Sequence, residues 1–298
     1  MIYVVGSLNM DLCIETPYIP KKGETITGKN FMTNGGGKGA NQSVAAGKLG
    51  GEIAMCGNVG NDAFGEELIG NLKKAGVECS HVKALDGYST GIAVIVLSEG
   101  DNRIILDKGA NAALKKEDID DFLKNGKRGD VYLTQLENPI EIIGYGLKTA
   151  KEKGLTTILN PAPANKDILP YLCYADIVTP NETELEIFGG REKMFEIGVK
   201  KLVVTLGGEG YEICDEKGGK RYPCIKVKPV DTTAAGDTFC GGLAVGLSEG
   251  KTIEEACAFG SKAASIACTR RGAQQSVPTK KEVEDSPFNN LKARAAVV

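Results

Sequence analysis

The chain has 298 residues, 42% hydrophobic and 25% charged, with a net charge of −3. That profile predicts a globular protein with a substantial core, one large α/β domain with at most a small appendage, and no nucleic-acid partner, which would call for a basic face. Nine scattered cysteines form no C-x-x-C pair, and His81 is the single histidine. The cysteine pattern argues against a disulfide framework and a zinc site, and a lone histidine excludes a histidine-based triad or a multi-histidine metal site, which leaves carboxylates, Lys, Ser/Thr and backbone for any chemistry.

The opening Met-Ile-Tyr-Val-Val-Gly shows no basic leader or long apolar segment, so neither export nor a membrane span is expected, and the cytoplasm is the expected compartment. Residues 2 to 5 read as a strand buried on both faces, starting a parallel sheet. The polar run Gly6-Ser7-Leu8-Asn9-Met10-Asp11 follows at its C-terminal end, where open α/β sheets bind ligands. Asn9 and Asp11 suit either sugar hydroxyls or the capping of a turn.

Residues 11 to 33 are strand-like without a helix. Asn34-Gly-Gly-Gly-Lys-Gly-Ala-Asn-Gln42 then enters a helix. It is not a P-loop, since Met32 stands where the first glycine belongs and Gly39 replaces the Ser/Thr that would hold magnesium. No G-x-G-x-x-G follows the first strand either. The glycines allow close backbone approach to a small polar ligand, with Lys38 and Asn41 as polar partners, or they make a flexible loop with a solvated lysine.

A strand at 53 to 56 and a helix over 62 to 75 follow, the helix marked by Phe64, Leu68 and Leu72 and stopped at Gly76. Residues 90 to 108 read as a hairpin turning at Glu99-Gly100-Asp101-Asn102, with an apolar face of Ile92, Val94 and Val96 that needs the core or another subunit as partner. Strands are expected again at 131 to 136, 155 to 159, 176 to 179 and 201 to 206. Between the first two lies a helix from Pro139 through Ile143, Leu147 and Ala150 to Gly154. The division expected is a large α/β domain over 1–10, 34–89 and 109–298, with a small β lid over 11–33 and 90–108.

Polar residues gather at further strand ends, in Asn160-Pro-Ala-Pro163 and Thr179-Pro-Asn-Glu-Thr-Glu184. Glu184 suits magnesium through water, or is one of the acids that enrich a helix N-terminus. A second hairpin follows Tyr211, turning at Gly218-Gly219. The most informative stretch is Val230-Asp231-Thr232-Thr233-Ala234-Ala235-Gly236-Asp237. Small residues let backbone N–H groups crowd an anion at a helix start, and an aspartate stands beside them, a pairing suited to phosphoryl transfer.

With Gln135-Leu-Glu-Asn-Pro139, Thr205-Leu-Gly-Gly-Glu-Gly210 and Arg271-Gly-Ala-Gln274 added, these segments closely resemble the ribokinase family of carbohydrate kinases over nearly the whole length. The resemblance implies an α/β/α sandwich with a mostly parallel sheet and a small β lid. It also implies ATP-dependent phosphorylation of D-ribose at O5, with Mg2+ and an activating K+, in a homodimer formed through the lid. Asn9, Asp11, Gly37, Lys38, Asn41 and Glu137 would bind the sugar and Asp237 would be the base. Ala234, Ala235 and Gly236 would form the anion hole, and Asn181, Thr205, Gly207, Gly210, Gly236 and Ser261 the ATP site.

By the same match, Glu184 would organise magnesium, and Asp231, Thr233, Ala267, Arg270, Gly272 and Ser276 would hold the monovalent cation, several through carbonyls. Simple packing accounts equally for Ala267 and Gly272. A kinase of the same fold acting on 2-deoxyribose, a ketohexose or a nucleoside, and a non-catalytic sugar sensor, are the alternatives. One departure is the short stretch from Gly189 to Lys201, where the family has a full helix. Reduced local stability and altered nucleotide packing are expected there, with intact chemistry. The tail Lys292 to Val298 is not expected to be a core element.

Overall fold

The fold is described from a computed structural model covering residues 1–99 and 101–286 and the backbone of 296–297. In chain order the strands are β1 (Ile2–Val5), β2 (Asn9–Glu15), β3 (Lys29–Gly36), β4 (Ile53–Gly60), β5 (Glu78–Leu85), β6 (Gly91–Ser98) and β7 (Asp101–Asp107). They continue with β8 (Val131–Thr134), β9 (Thr156–Leu159), β10 (Ile177–Val178), β11 (Lys201–Thr205), β12 (Tyr211–Asp215), β13 (Gly218–Tyr222) and β14 (Ala296–Val297). The helices are α1 (Lys38–Lys48), α2 (Ala63–Lys74), α3 (Lys116–Phe122), α4 (Ile140–Glu152), α5 (Glu182–Ile187), α6 (Gly190–Glu196), α7 (Ala235–Ser248), α8 (Ile253–Ala267) and α9 (Lys280–Asp285).

Ten strands make the main sheet in the order β14-β13-β12-β11-β10-β9-β8-β1-β4-β5. Pairing is parallel from β5 to β11 and antiparallel from β11 to β14. The apolar strands that the sequence marks are buried on both faces because successive side chains point to opposite sides. In β1, Ile2 and Val4 join a core with residues of α1, α2, α7 and α8, while Tyr3 and Val5 join a second core with residues of α3 and α4. Each such fully buried aliphatic side chain contributes about 1.5–3 kcal/mol. The three-layer sandwich is the consequence.

α2 matches its predicted signals closely. Asp62 caps it by accepting from the Gly65 N–H at 2.9 Å, Leu68 and Leu72 are buried, and Gly76 leaves it at φ 81°. β2, β3, β6 and β7 form a separate four-stranded sheet in the order β3-β2-β6-β7. Since β2 starts four residues after β1 ends, this sheet rises from the edge where the parallel strands finish. Among the described residues no helix is long and apolar enough to cross a membrane.

Four details differ from the sequence expectation. Ser98 pairs with Asp101, so Asp101 and Asn102 belong to β7 and not to a turn; Gly100 lies outside the described residues. Of the apolar hairpin face, Ile92 packs on the core together with Leu12, and the large apolar side chains left exposed are Phe31 and Met32 of β3 and Ile104, Ile105 and Leu106 of β7. The second hairpin turns at 216–217, where the Asp215 carboxylate accepts the Lys217 N–H at 2.9 Å, and Gly218-Gly219 lie inside β13. The glycine at 219 makes room there for the Glu212 carboxylate, which a Cβ would meet at 2.2 Å. In the tail, 296–297 add an edge strand to β13; the rest of 292–298 lies outside the described residues.

The short stretch after Gly189 does hold a helix, the seven-residue α6. Met194 is buried in the core, and Arg191 donates to both oxygens of Glu212, at 2.6 and 2.5 Å, with Arg221 adding a third bond at 3.2 Å. The Glu212 side chain is only 2% exposed. Its burial opposes ionisation, but the two guanidiniums outweigh it and hold the carboxyl below its usual range.

Candidate active site

The C-terminal ends of the parallel strands deliver Ser7, Gln135 to Glu137, Asn160, Thr179 to Asn181 and Leu206 to Gly210 to one edge of the sheet. α1 enters the same edge through Gly37, whose φ is 85° and whose Cβ, if it had one, would lie 2.7 Å from the Asn9 nitrogen. Only glycine fits, and the backbone of Ser7 to Asn9 therefore lies directly against the helix start. Gly36 is likewise pressed on Asp11, where a Cβ would fall 2.4 Å from the carboxylate.

Around this contact the polar side chains take fixed orientations. Glu137 Oε2 accepts from Ser7 Oγ at 2.5 Å and from the Lys38 N–H at 3.0 Å. Asn9 Oδ1 accepts from Asn111 Nδ2 at 2.8 Å, and Asn111 is itself pinned by the Leu8 N–H and carbonyl, both at 2.9 Å. The Asn9 Nδ2 group is left to face a cavity of about 380 Å³ that Glu137 also lines. Burial first, and then the charges of Glu137 and Asp237, push the Asp11 carboxyl up to about 7. Burial opposes the charge of Lys38, but Asp237, Glu137 and Glu184 prevail and hold its ammonium above the usual lysine range.

Asp237 sits in the first turn of α7, after Ala234 in the left-handed region at φ 57°. That conformation is strained for a residue with a Cβ, and it turns the chain so that the first amides of the helix point outward from its end. Ala235 N–H donates back to the Thr232 carbonyl at 3.2 Å, while the Gly236 and Asp237 amides have no partner within the helix. The Asp237 carboxylate is buried, accepting at Oδ2 from Asn41 Nδ2 and at Oδ1 from Gln42 Nε2, both at 3.0 Å.

A second cleft, of about 460 Å³, begins at this helix end. It is lined by Asn181, Thr205, Gly207, Gly210, Gly236 and Ser261, all six of the residues expected there, with Tyr211, Val227, Pro229 and Phe239 as apolar walls. Such a slot fits a flat heteroaromatic ring with its polar tail directed at α7. Asn181 caps α5 reciprocally with Glu184: Glu184 N–H donates to Asn181 Oδ1 at 2.8 Å and Asn181 N–H to Glu184 Oε2 at 2.9 Å. The acid-rich helix start and the site position therefore coincide. Burial raises the Glu184 carboxyl above its usual range, against the opposing pull of the Asn181 amide and Lys38.

The residues expected to hold a monovalent cation fall in two loops beside α7. Asp231 ties them together, accepting from Thr233 N–H and Gly272 N–H at 2.9 Å each. These bonds, with Arg271 nearby, overcome burial and lower its carboxyl. The Ala267 carbonyl accepts the Arg270 N–H at 2.9 Å, the Arg270 guanidinium pairs with Glu282 at 2.8 Å, and Ser276 Oγ donates to the Ala273 carbonyl at 2.7 Å. One carboxylate among neutral carbonyls and hydroxyls is a donor set for a weakly hydrated monovalent ion. Among the described residues no cluster of three His, Cys, Asp or Glu side chains forms a metal cage.

Sequence reading gave no role to Ser7, Gln42, Asn111, Gln135, Asn160 or Gln274, although most lie in segments it singled out. Their signal was an unusual density of side-chain amides at strand ends, but an amide's partner cannot be read locally.

The comparisons agree with this geometry. The model of the pfkB family carbohydrate kinases matches residues 1–280. The chain is 39% identical over 287 residues to the ribokinase of Bacillus subtilis, covering 95% of this chain and 98% of that protein. Among solved structures it superposes on the ribokinase of Thermotoga maritima with TM-score 0.83 and 40% identity, covering 95% and 97% of the two chains. With the Arabidopsis thaliana ribokinase, solved with ribose and ATP, the TM-score is 0.85 and the identity 34%, over the same shares. With a family model matched over most of the chain and relatives at this identity, the chain belongs to the pfkB family of carbohydrate kinases.

Proposed function

We propose that this chain transfers the γ-phosphoryl group of ATP to O5 of D-ribose. The observation that carries the reading is the position of Asp237, whose carboxylate lies in the first turn of α7, next in the chain to Gly236 of the nucleotide cleft and held by Asn41 and Gln42 of α1. Ribose is held by Asn9, Asp11, the Gly37 backbone, Lys38, Asn41 and Glu137. Their mix of one cation, neutral amides and carboxylates matches a small ligand rich in hydroxyls. Asp237 takes the proton of the 5-hydroxyl as that oxygen attacks phosphorus. The charge on the moving phosphoryl group is met by the α7 amides of the Ala234-Ala235-Gly236 turn and by Lys38.

Glu184, which keeps one carboxylate oxygen free of the helix cap, would hold magnesium through water, and the ion would supply positive charge against the phosphates. Asp231, Thr233, Ala267, Arg270, Gly272 and Ser276 are the residues that would hold a potassium ion, several of them through carbonyls, and the ion would supply positive charge beside the turn before the anion hole. The four-stranded sheet acts as a lid that excludes water from the sugar. Two copies join through its uncovered apolar residues, of which Ile105 is 68% and Phe31 64% exposed. Nine free thiols suit a reducing compartment, and the cytoplasm is the place of action in this reading.

The test is ADP release from MgATP with D-ribose, in sodium or potassium buffer, with 2-deoxyribose, fructose and adenosine as parallel acceptors. Ribose-dependent turnover enhanced by potassium is expected. Turnover with another acceptor alone would keep the chemistry and overturn the substrate; ribose binding without any ADP would mark a sugar sensor.

A further inference from the structure

The Asp237 carboxylate is held by two side-chain amides from consecutive residues in the first turns of α1, Asn41 on Oδ2 and Gln42 on Oδ1, each at 3.0 Å. Asn41 is among the proposed sugar ligands; Gln42 is fully buried. An amide is a donor at one end and an acceptor at the other, so a glutamine beside a carboxylate helps only if something dictates which end faces it. Here two strand ends do so. Gln135, just after β8, donates from Nε2 to Gln42 Oε1 at 2.7 Å, which turns the Gln42 NH2 group toward Asp237. Asn160, just after β9, accepts the second Gln42 Nε2 proton on Oδ1 at 3.1 Å, and its own Nδ2 donates to the Thr179 carbonyl, just after β10, at 2.9 Å.

The direction of every bond in this chain is set by a main-chain carbonyl that can only accept. Thr179 O fixes Asn160, Asn160 fixes one Gln42 proton, and the other proton has Asp237 as its acceptor. A carboxylate gripped at both oxygens does not turn freely about its Cβ–Cγ bond, so its remaining lone pairs keep a constant direction. In a buried, low-dielectric place each such charge-assisted bond is worth about 1.5–3 kcal/mol.

Resting on the kinase reading above, we infer that Gln42 is a positioning residue for the proton acceptor. Oriented by Gln135 and Asn160, it aims the Asp237 lone pair at the attacking hydroxyl and stabilises the ionised carboxylate, without touching sugar or nucleotide itself. Three neighbouring strands of the parallel sheet thus set the geometry of a group on α7, which places the aim of the base on the most rigid part of the molecule.

The experiment compares the full-length wild type with Gln42→Met, Gln42→Glu and Gln135→Met. For each, kcat and KM are measured for ribose and MgATP across pH, with thermal unfolding as the check of folding. For Gln42→Met, kcat is expected to fall about 10- to 150-fold, one charge-assisted bond expressed as a rate. Both KM values should stay within about threefold, and the acid-side fall of kcat should move up by about one to two pH units. Gln42→Glu, which sets a second carboxylate against the first, should move it further in the same direction. Gln135→Met removes one of the two bonds that orient the Gln42 amide and leaves it held by Asn160 alone, so it should give the same signature at smaller size, and it carries the test if the Gln42 variants do not fold. Folded variants with the wild-type pH profile, or a loss expressed only in KM, would overturn the inference. A wild type that turns over no acceptor at all would instead overturn the kinase reading, and the inference with it.

Discussion

Replacing Asp11 by Asn should make the fold more stable and the sugar site worse, and the two effects can be separated by pH. In the free protein the Asp11 carboxyl is pushed from 3.8 to about 7 by burial, then by Glu137 and Asp237. The sign follows from proton counts. Between about pH 4 and 7 the native state binds a proton that the unfolded chain has released, so stability falls as pH rises through that window, and above it the penalty is constant. A shift of about three units corresponds to a ceiling of about 4 kcal/mol, and screening at a residue that is only partly buried brings the expectation to about 2–4 kcal/mol.

Asparagine has the same shape and no charge, so at pH 8 the ligand-free variant should be stabilised by that amount. For a chain of this length the gain corresponds to roughly 3–6 °C in Tm. At pH 4.5 the gain should shrink to about 1 kcal/mol. Ribose affinity should fall about 10- to 150-fold, since a charged acceptor is lost. Thermal unfolding at the two pH values with a ribose titration reads both. Equal Tm at pH 8, or a gain that does not shrink on acidification, would refute the claim that a buried charge is being held there for binding.

Asp237→Asn should lower turnover by about 10² to 10⁴ with little change in unfolding, and retained turnover in a variant verified by mass would remove Asp237 as base. Gly37→Ala should cost at least about 1–2 kcal/mol from its positive φ alone, and the contact on Asn9 should raise the ribose KM; a folded variant with unchanged KM would contradict the close approach seen here. Arg191→Ala removes both short bonds from the buried Glu212 and should cost about 3 kcal/mol in urea unfolding, less at low pH where the carboxyl becomes neutral. A cost under about 1 kcal/mol, or one that does not vary with pH, would mean that Arg221 or water replaces it. Sedimentation at micromolar concentration should find a dimer that Ile105→Lys dissociates; a wild-type monomer would exclude the lid interface.

Much of this protein is legible in short windows because the physics there is local. A buried strand such as Ile2–Val5, a capped helix such as α2 and a glycine that must take φ > 0 such as Gly37 each depend on a few neighbouring residues. The small-residue turn before Asp237 was readable for the same reason, and of the six residues that line one cleft all but Ser261, which lies within α8, stand at or beside the ends of such elements. Windows failed where a distant group decided the outcome. Gly218-Gly219 looks like a turn, but both lie in a strand, where Gly219 leaves space for Glu212 and Gly218 takes a φ of 142°, and Asp215 makes the turn instead.

The hydrogen-bonded constellation around Asp237 belongs to the tertiary structure. Asn41 and Asp237 are 196 residues apart, Gln274 and Asn41 are 233 apart, and the direction of the Gln42 amide depends on two further strand ends. A side-chain amide carries no mark in the sequence of which partner it will meet or which end it will present. Residue types and local backbone alone therefore determined that an acid would stand beside an anion-binding helix start, while only the packing of the parallel strands decided which way that acid points.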